Sequence, residues 1–326
     1  MDTALPVAPE NTLPEMHKKR VAWIDGARVV AILLVMQAHT PFCTFFNHDS
    51  EAGAVALFFL ISGYFTKSTT FGGTLARMGK LIPFYVLWSL YGLIVIRHGF
   101  HFSWQEFGVV LRHGKSGAMW FILYLLYFTP MAYIFSKLPG VAKGCIVAGL
   151  FICGAIQFSH GRAVHPCAEL CFALSIFLLG NMCSHISPAT LERTLFPRNP
   201  FILAIFPPLV LIGILLYAYW HLSVIPSWLL LIPAMWSMLG LAYSIEQFFP
   251  HFGMKLAAMG TAVVFIYAIH APTQRVLIGM YLRLTGTMPP HFISALFILL
   301  VFAGGYFFYT LMQGRSKLLD RLLFAR

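Results

Sequence analysis

The sequence is poor in charged residues, and in acidic residues above all. Charged side chains make up 10% of its 326 residues, with 22 Lys and Arg against 11 Asp and Glu. Its mean hydropathy is +0.78 and 59% of its residues are hydrophobic, values far from those of soluble domains. These values predict a polytopic membrane protein. They leave no polar domain whose basic surface would bind nucleic acid, so we expect the excess positive charge to set membrane topology instead.

The sequence also lacks the cysteine patterns of metal-binding and disulfide-rich proteins. Its six cysteines show no CxxC spacing, which argues against a zinc site or a disulfide framework. The segment HPCAELC contains His165, Cys167, Glu169 and Cys171, but a spacing of two residues scatters such side chains around a helix. We therefore predict no metal site.

The first seventeen residues, MDTALPVAPENTLPEMH, lack the apolar core of a signal peptide. Their prolines and acidic residues predict a disordered cytoplasmic tail over residues 1–20. We expect the first membrane helix to direct insertion by itself. Residues 21–314 would then form one transmembrane domain, followed by a basic cytoplasmic tail over residues 315–326.

Apolar stretches long enough to cross about 30 Å of hydrocarbon run along most of the chain. They predict an all-α protein of about ten transmembrane helices, at 27–46, 52–66, 80–97, 118–136, 141–158, 166–184, 200–220, 225–245, 258–280 and 291–313. The second stretch is short and Pro272 interrupts the ninth, so we expect those two to be bent or partly re-entrant. Ser103 and Glu106 have the spacing of a capping box, which predicts a short amphipathic helix at the outer surface.

The distribution of Lys and Arg residues predicts the orientation of the chain. Most of them fall in loops that share a side with the two termini, which places both termini in the cytoplasm. We expect a multi-pass protein of a bacterial inner (plasma) membrane.

Two ionisable residues, Arg28 and His39, lie eleven positions apart in the first predicted helix. Eleven residues make about three turns, so both side chains lie on one face, about 16 Å apart along the axis. Ionisable residues inside a membrane segment are costly and mark functional sites. The alternatives are a snorkelling anchor for Arg28 and a structural histidine for His39. We expect Asp25 to cap the helix and to pair with Arg28, with a plain cap as the alternative.

The segment WIDGARVVAILLVMQAH resembles the opening motif of the acyltransferase 3 family of integral-membrane acyltransferases. That motif is an arginine, ten residues and a histidine on the first membrane helix. Five further segments follow in the family's order: AVALFFLISGYF with Ser62 and Gly63, ARMGKLIPFY with Arg77 and Lys80, MWFILYLLY with Trp120, IFLLG, and FIYAIHAP with Tyr267 and His270. Lys80 stands where the family has an arginine, which keeps the charge and loses the planar fork.

The resemblance implies transfer of an acyl group, usually acetyl from cytoplasmic acetyl-CoA, to a hydroxyl of a carbohydrate at or beyond the outer face. The acceptor would be a polysaccharide, a glycolipid or a lipid-linked oligosaccharide, met among membrane lipids and alongside polysaccharide synthesis or export machinery. We predict that Arg28, Arg77 and Lys80 bind the donor phosphates. Ser62 and Gly63 would line the pantetheine slot, with tight helix packing as the alternative for Gly63.

We predict His39 to be the catalytic residue, either as general base or through a covalent acyl-imidazole. His270 would orient His39 or bind the acceptor, or it is structural, and Tyr267 would support it. Glu169 would pair with a histidine or with Arg162, or lie in a wet vestibule. Trp120 would stack on a sugar ring or belong to an ordinary interfacial belt.

Two other functional classes are compatible with an apolar helical chain of this length. A secondary transporter of a small metabolite would also contain intramembrane charges, and it should show related halves and paired broken helices. The sequence shows no evident internal repeat. A structural subunit of a glycan export complex would leave Arg28 and His39 unexplained.

Overall fold

The computed structural model describes residues 21–40, 48–66, 70–97, 103–114, 119–159, 166–219 and 227–324. These residues form α-helices and contain no strand, so the predicted all-α class is confirmed. The helices are α1 (Ala22–Ala38), α2 (His48–Tyr64), α3 (Phe71–Ile96), α4 (Trp104–His113), α5 (Trp120–Ser136), α6 (Gly140–Ser159), α7 (Pro166–Cys183), α8 (Pro188–Leu195), α9 (Pro200–Tyr219), α10 (Ser227–Phe248), α11 (Pro250–Gly260), α12 (Val263–Thr285), α13 (His291–Met312) and α14 (Lys317–Phe324). The predicted tail at residues 1–20 lies outside the described residues.

Fewer helices than predicted are both long and apolar enough to cross a membrane. Within the described residues five qualify: α3, α9, α10, α12 and α13. A sixth span results if α7 and α8 are joined, although these two helices meet at an angle of 114°. Three further apolar helices are shorter, at Gly53–Tyr64, Trp120–Ser136 and Gly140–Ile156. The protein is therefore a multi-pass membrane protein, and the predicted count of about ten spans is not confirmed.

Helix α1 begins and ends earlier than the predicted stretch 27–46. It starts at Ala22 and ends at Ala38, with His39 as its C-terminal cap. Pro41 follows in the sequence, and a residue before proline is disfavoured in the α conformation, so the helix stops before the Thr40–Pro41 pair. The Cα of His39 still continues the helical path, so the spacing between Arg28 and His39 is retained.

The predicted ninth stretch, 258–280, is divided between two helices. α11 ends at Gly260, and α12 starts at Val263 and runs through Pro272 without interruption. The break therefore lies before the proline.

Gly260 faces the backbone of Asp25 so closely that a Cβ atom would overlap it. A residue without a side chain is needed where α11 meets α1.

Helix α1 lies in the interior of the described bundle. It packs against α2, α10, α11 and α12. Its apolar side chains include Ala27, Ala31, Ile32 and Met36, all with 0% exposure. The two ionisable residues predicted to be functional therefore belong to a helix surrounded by protein and not to one at the lipid boundary.

Two short helices, α4 and α14, pack against α3. Ser103 caps α4 with a complete capping box, in which Glu106 reaches back to the Ser103 backbone, as the sequence predicts. Inside the predicted 315–326 tail, α14 is a docked helix. Its residue Phe324 is buried against the rings of Phe265 and Tyr309, with centroid distances of 5.3 and 4.7 Å.

Candidate functional site

The side chains of Arg28 and Asp25 form an ion pair on α1. Their closest atoms, Nη1 and Oδ1, are 2.8 Å apart, and both side chains are mostly buried. The pairing predicted from the i, i+3 spacing is thus present. The predicted cap is wrong: the helix starts at Ala22 with Val21 as its cap, so Asp25 lies inside the first turn.

A second arginine, Arg77 of α3, lies beside Arg28 at the end of α2. Its Nη1 and Nη2 atoms contact the backbone carbonyls of Phe65 and Ser62 at 3.4 and 3.5 Å. The guanidinium of Arg28 lies 5.1 Å from the centre of the Phe65 ring. Both arginines therefore contact Phe65, one at its ring and the other at its carbonyl. Phe65 thus brings two cationic side chains from different helices together, and we call Arg28 and Arg77 the arginine pair.

Arg77 is suited to receive an anion. Its guanidinium makes two long hydrogen bonds to backbone carbonyls, and within the described part of the chain no carboxylate lies within salt-bridge distance of it. Lys80 lies one turn further along α3 and is exposed. Ser62 contributes its carbonyl, which also accepts a hydrogen bond from Thr66 Oγ1 at 2.6 Å.

Gly63 packs against a neighbouring helix and lines no slot. A Cβ atom on Gly63 would overlap the backbone carbonyl of Phe177 in α7, and one on Gly180 would overlap the carbonyl of Leu60 in α2. Each glycine therefore admits the backbone of the other helix, in the manner of small-residue helix pairs in membranes. The predicted ligand approach over Gly63 is corrected: the carbonyl of Phe177 occupies that space.

At the other end of this face of α1, His39 lies beside His270 of α12. Their ring centroids are 5.0 Å apart and the rings are tilted by 50°. His39 is half-buried, whereas His270 has 0% exposure. Two histidines that are 231 positions apart in the sequence are therefore neighbours, and we call them the histidine pair.

The hydrogen bond of His270 fixes its tautomer. Its Nδ1 atom lies 2.7 Å from the carbonyl oxygen of Tyr267. Because a carbonyl only accepts, Nδ1 carries the hydrogen, and Nε2 of the neutral ring is an acceptor. That Nε2 atom is buried and has no hydrogen-bond partner in the part of the chain that the structure describes. His270 can therefore accept a hydrogen bond from a neighbour that becomes protonated.

Tyr267 and Trp120 belong to one group of packed aromatic rings. Tyr267 is buried, 5.0 Å from the ring of Phe121 and 5.5 Å from that of His270. Phe121 contacts Phe59 at 4.7 Å, which in turn lies 6.2 Å from Trp120. Trp120 is half-buried. The aromatic group therefore supports His270 from behind and extends to a tryptophan that keeps part of its surface accessible.

Glu169 lies in the first turn of α7 and is exposed. Its suggested partner Arg162 lies outside the described residues. Among the side chains that are described, no three His, Cys, Asp or Glu residues form a group able to hold a metal ion.

One polar residue near the histidine pair, Gln274, was not predicted from the sequence. Gln274 has 0% exposure, and its Nε2 atom donates to the carbonyl of Met36 in α1 at 3.1 Å. It lies four residues after His270, on the same face of α12. A glutamine one turn from a membrane histidine was the available signal, because buried amides need partners.

These contacts define a multi-pass helical membrane protein whose central helix contributes Arg28 to the arginine pair and its cap His39 to the histidine pair, about three turns apart. The family model of the acyltransferase 3 family, described as an acyltransferase domain, matches residues 21–310. The chain belongs to the acyltransferase 3 family and is therefore an acyltransferase in the general sense. No curated protein and no solved structure matches it significantly.

Proposed function

We propose that this protein is a membrane O-acyltransferase that moves an acetyl group from cytoplasmic acetyl-CoA to a hydroxyl of a cell-surface or secreted glycan, or of its lipid-linked precursor. The bacterial inner membrane would hold it with both termini in the cytoplasm, as the Lys and Arg distribution favours. The arginine pair then lies toward the cytoplasm and the histidine pair lies deeper toward the outside.

The observation that carries this proposal is the spacing along α1 between Arg28 of the arginine pair and His39 of the histidine pair. Acyl-CoA has an anionic nucleotide at one end and a thioester at the other, joined by an extended pantetheine arm. Phosphates suit guanidinium groups, which bind them through charge-assisted hydrogen bonds. The eleven-residue spacing, about 16 Å along the helix, separates a phosphate site from a reaction site, and Lys80 adds a third cation one turn from Arg77.

The histidine pair supports acyl transfer by general base catalysis. Neutral His39 takes the proton of the acceptor hydroxyl while the hydroxyl oxygen attacks the thioester carbonyl. The C–S bond then breaks, and the leaving CoA thiolate takes that proton from the His39 imidazolium, which regenerates the neutral base. The imidazolium of His39 would be stabilised by donating to Nε2 of His270, which needs a donor. A route through an acyl-imidazole on His39 uses the same neighbours.

We propose Trp120 as the aromatic side of the acceptor site, with buried Tyr267 supporting the packed rings behind it. An aromatic face packs against the apolar face of a sugar ring, and part of Trp120 remains accessible. The acceptor would be a polysaccharide, a glycolipid or a lipid-linked oligosaccharide, supplied by polysaccharide synthesis or export machinery. We expect acetyl transfer without a metal ion.

Purified protein in proteoliposomes tests the proposal with radiolabelled acetyl-CoA and a glycolipid extract as acceptor. We expect label to move from thioester to glycan, and His39→Ala to lower the rate on the order of 10²-fold or more. His185→Ala, a change at an exposed histidine on α8's flank, is the control. Counterflow of an intact solute without thioester consumption would contradict the proposal and indicate a transporter.

A further inference from the structure

The C-terminal end of α1 is held by two sets of hydrogen bonds. The Oγ1 atom of Thr40 donates to the carbonyl of Gln37 at 2.8 Å, a local bond between residues three apart. The carbonyl of Met36 accepts the backbone N–H of His39 at 3.2 Å and the side chain of Gln274 at 3.1 Å. The last carbonyls of a helix lack helical partners, so a bond from another helix there ties the end of α1 to α12.

The Met36 carbonyl connects Gln274 to His39. Because this oxygen accepts both the His39 backbone N–H and the Gln274 amide, any movement of it displaces the backbone that carries the His39 ring. Gln274 and His270 lie one turn apart on α12. One face of α12 therefore contacts the backbone that precedes His39, through Gln274, and the His39 ring itself, through His270.

Burial makes this bond persistent. Gln274 and Met36 each have 0% exposure, so water does not replace the amide if it is removed. Without the amide this buried carbonyl would keep only the His39 N–H, the weaker local bond at the frayed end of the helix. The lost bond between α12 and α1 is costly to a buried acceptor, and the end of α1 would be free to shift. Since His39 is the residue that caps the helix, its ring moves with that end.

We propose that Gln274 is a positioning residue that fixes the end of α1 and thereby holds the His39 imidazole at the distance and angle that acyl transfer requires. The proposal rests on the proposed function for its kinetic consequence. Its structural part, the tether between α12 and His39, is independent of the reaction. Gln274 touches neither donor nor acceptor in this role.

Two substitutions separate the amide donor from mere packing. Gln274→Met keeps the length of the side chain and removes the donor. Gln274→Glu restores a donor only while the carboxyl is protonated. Misplacement of a catalytic group by about 1 Å costs up to about 10²-fold in rate. We expect Gln274→Met to lower kcat at least about 10-fold, with KM for acetyl-CoA nearly unchanged.

The pH profile gives a result that a structural role would not. The quantity to compare is the kcat of each variant divided by the kcat of the unchanged protein at the same pH. For Gln274→Glu this ratio should rise several-fold as the pH is lowered from 8.5 to 6, because the carboxyl becomes protonated and can donate. For Gln274→Met the ratio should stay constant. Gln247→Glu is the matched control, since Gln247 is exposed on α10, and its ratio should stay near one. Equal pH profiles for Gln274→Glu and Gln274→Met would overturn the proposal.

A second measurement does not depend on activity. Diethyl pyrocarbonate modifies accessible histidines, and mass spectrometry follows each site in the full-length protein in detergent, with exposed His185 as internal reference. We expect Gln274→Met to raise the modification rate of His39 several-fold relative to His185. An unchanged His39 rate overturns the tether. A raised rate in a protein that consumes no acetyl-CoA would leave the tether intact and reject the proposed function instead.

Discussion

Arg77 differs from an arginine held in a structural ion pair. Its guanidinium contacts two carbonyl oxygens at distances near the limit of hydrogen bonding and lies next to a second arginine. Such an arrangement fixes the position of the guanidinium but leaves it with only two long hydrogen bonds to neutral acceptors, which favours binding of an anionic ligand. By contrast, the Arg28 side chain is held by Asp25 at 2.8 Å, so its guanidinium has a fixed position from which to bind the donor phosphates.

Replacing Arg77 should weaken donor binding more than chemistry. We expect Arg77→Met to raise KM for acetyl-CoA about 10-fold or more with little change in kcat, because a charge-assisted bond to phosphate is worth roughly twice a neutral one. Steady-state kinetics over a range of acetyl-CoA concentrations measures this. Arg193→Met, at an exposed position of α8, is the control. A loss in kcat alone would argue against phosphate binding by Arg77.

Replacing His270 should affect chemistry while leaving donor binding intact. His270→Phe keeps an aromatic ring next to Tyr267 but removes the Nε2 acceptor, so the protonated His39 loses its partner. We expect kcat to fall on the order of 10-fold to 10²-fold with KM for acetyl-CoA unchanged. The melting temperature in detergent reports folding in the same samples. An unchanged kcat in His270→Phe would contradict a role in the reaction and show that His270 is structural.

At the scale of elements, α2 and α7 are joined by reciprocal glycines. Gly63 faces the carbonyl of Phe177, and Gly180 faces that of Leu60. This contact sets the position of the end of α2, whose carbonyls at Ser62 and Phe65 hold Arg77. Helix packing therefore reaches the arginine pair through the backbone of α2.

Adding one methyl group to this contact should destabilise the protein. Gly63→Ala forces α2 and α7 apart, and overpacking of this kind costs about 1–3 kcal/mol. We expect a lower melting temperature in detergent and a raised KM for acetyl-CoA, since Arg77 shifts with the carbonyls. Gly149→Ala, at a helical glycine of α6 with open space around it, should not lower stability. Equal melting temperatures for the two variants would contradict the packing account.

At the scale of the whole molecule, the sequence predicted the helical class and the residues of the two pairs, but not all of their neighbours. Arg28 and His39 were predictable because helical geometry alone relates residues eleven positions apart. Tight packing of Gly63 was an open alternative, but its partner was not predictable, since the Phe177 carbonyl lies 114 positions away in the sequence. The ends of α1 were misplaced, and the break between α11 and α12 inside the predicted stretch 258–280 was missed, because hydropathy does not register local breaks.

The proposed orientation of the whole chain predicts where its ends lie. A green fluorescent protein fused to the C-terminus should fluoresce, because it folds in the cytoplasm, and alkaline phosphatase fused there should be inactive. Alkaline phosphatase inserted in the loop before α4, near Ser103, should be active. The reverse pattern would place the arginine pair on the outer side, where no acetyl-CoA is available.

The central claim is that a cytoplasmic thioester reacts, at His39, with a hydroxyl on the far side of the membrane. Inverted membrane vesicles expose the cytoplasmic face and enclose the glycan. Given radiolabelled acetyl-CoA outside, they should acquire label in the enclosed glycan, and vesicles carrying His39→Ala should not. Label that appears only in right-side-out vesicles, or that persists in inverted vesicles with His39→Ala, would contradict the account.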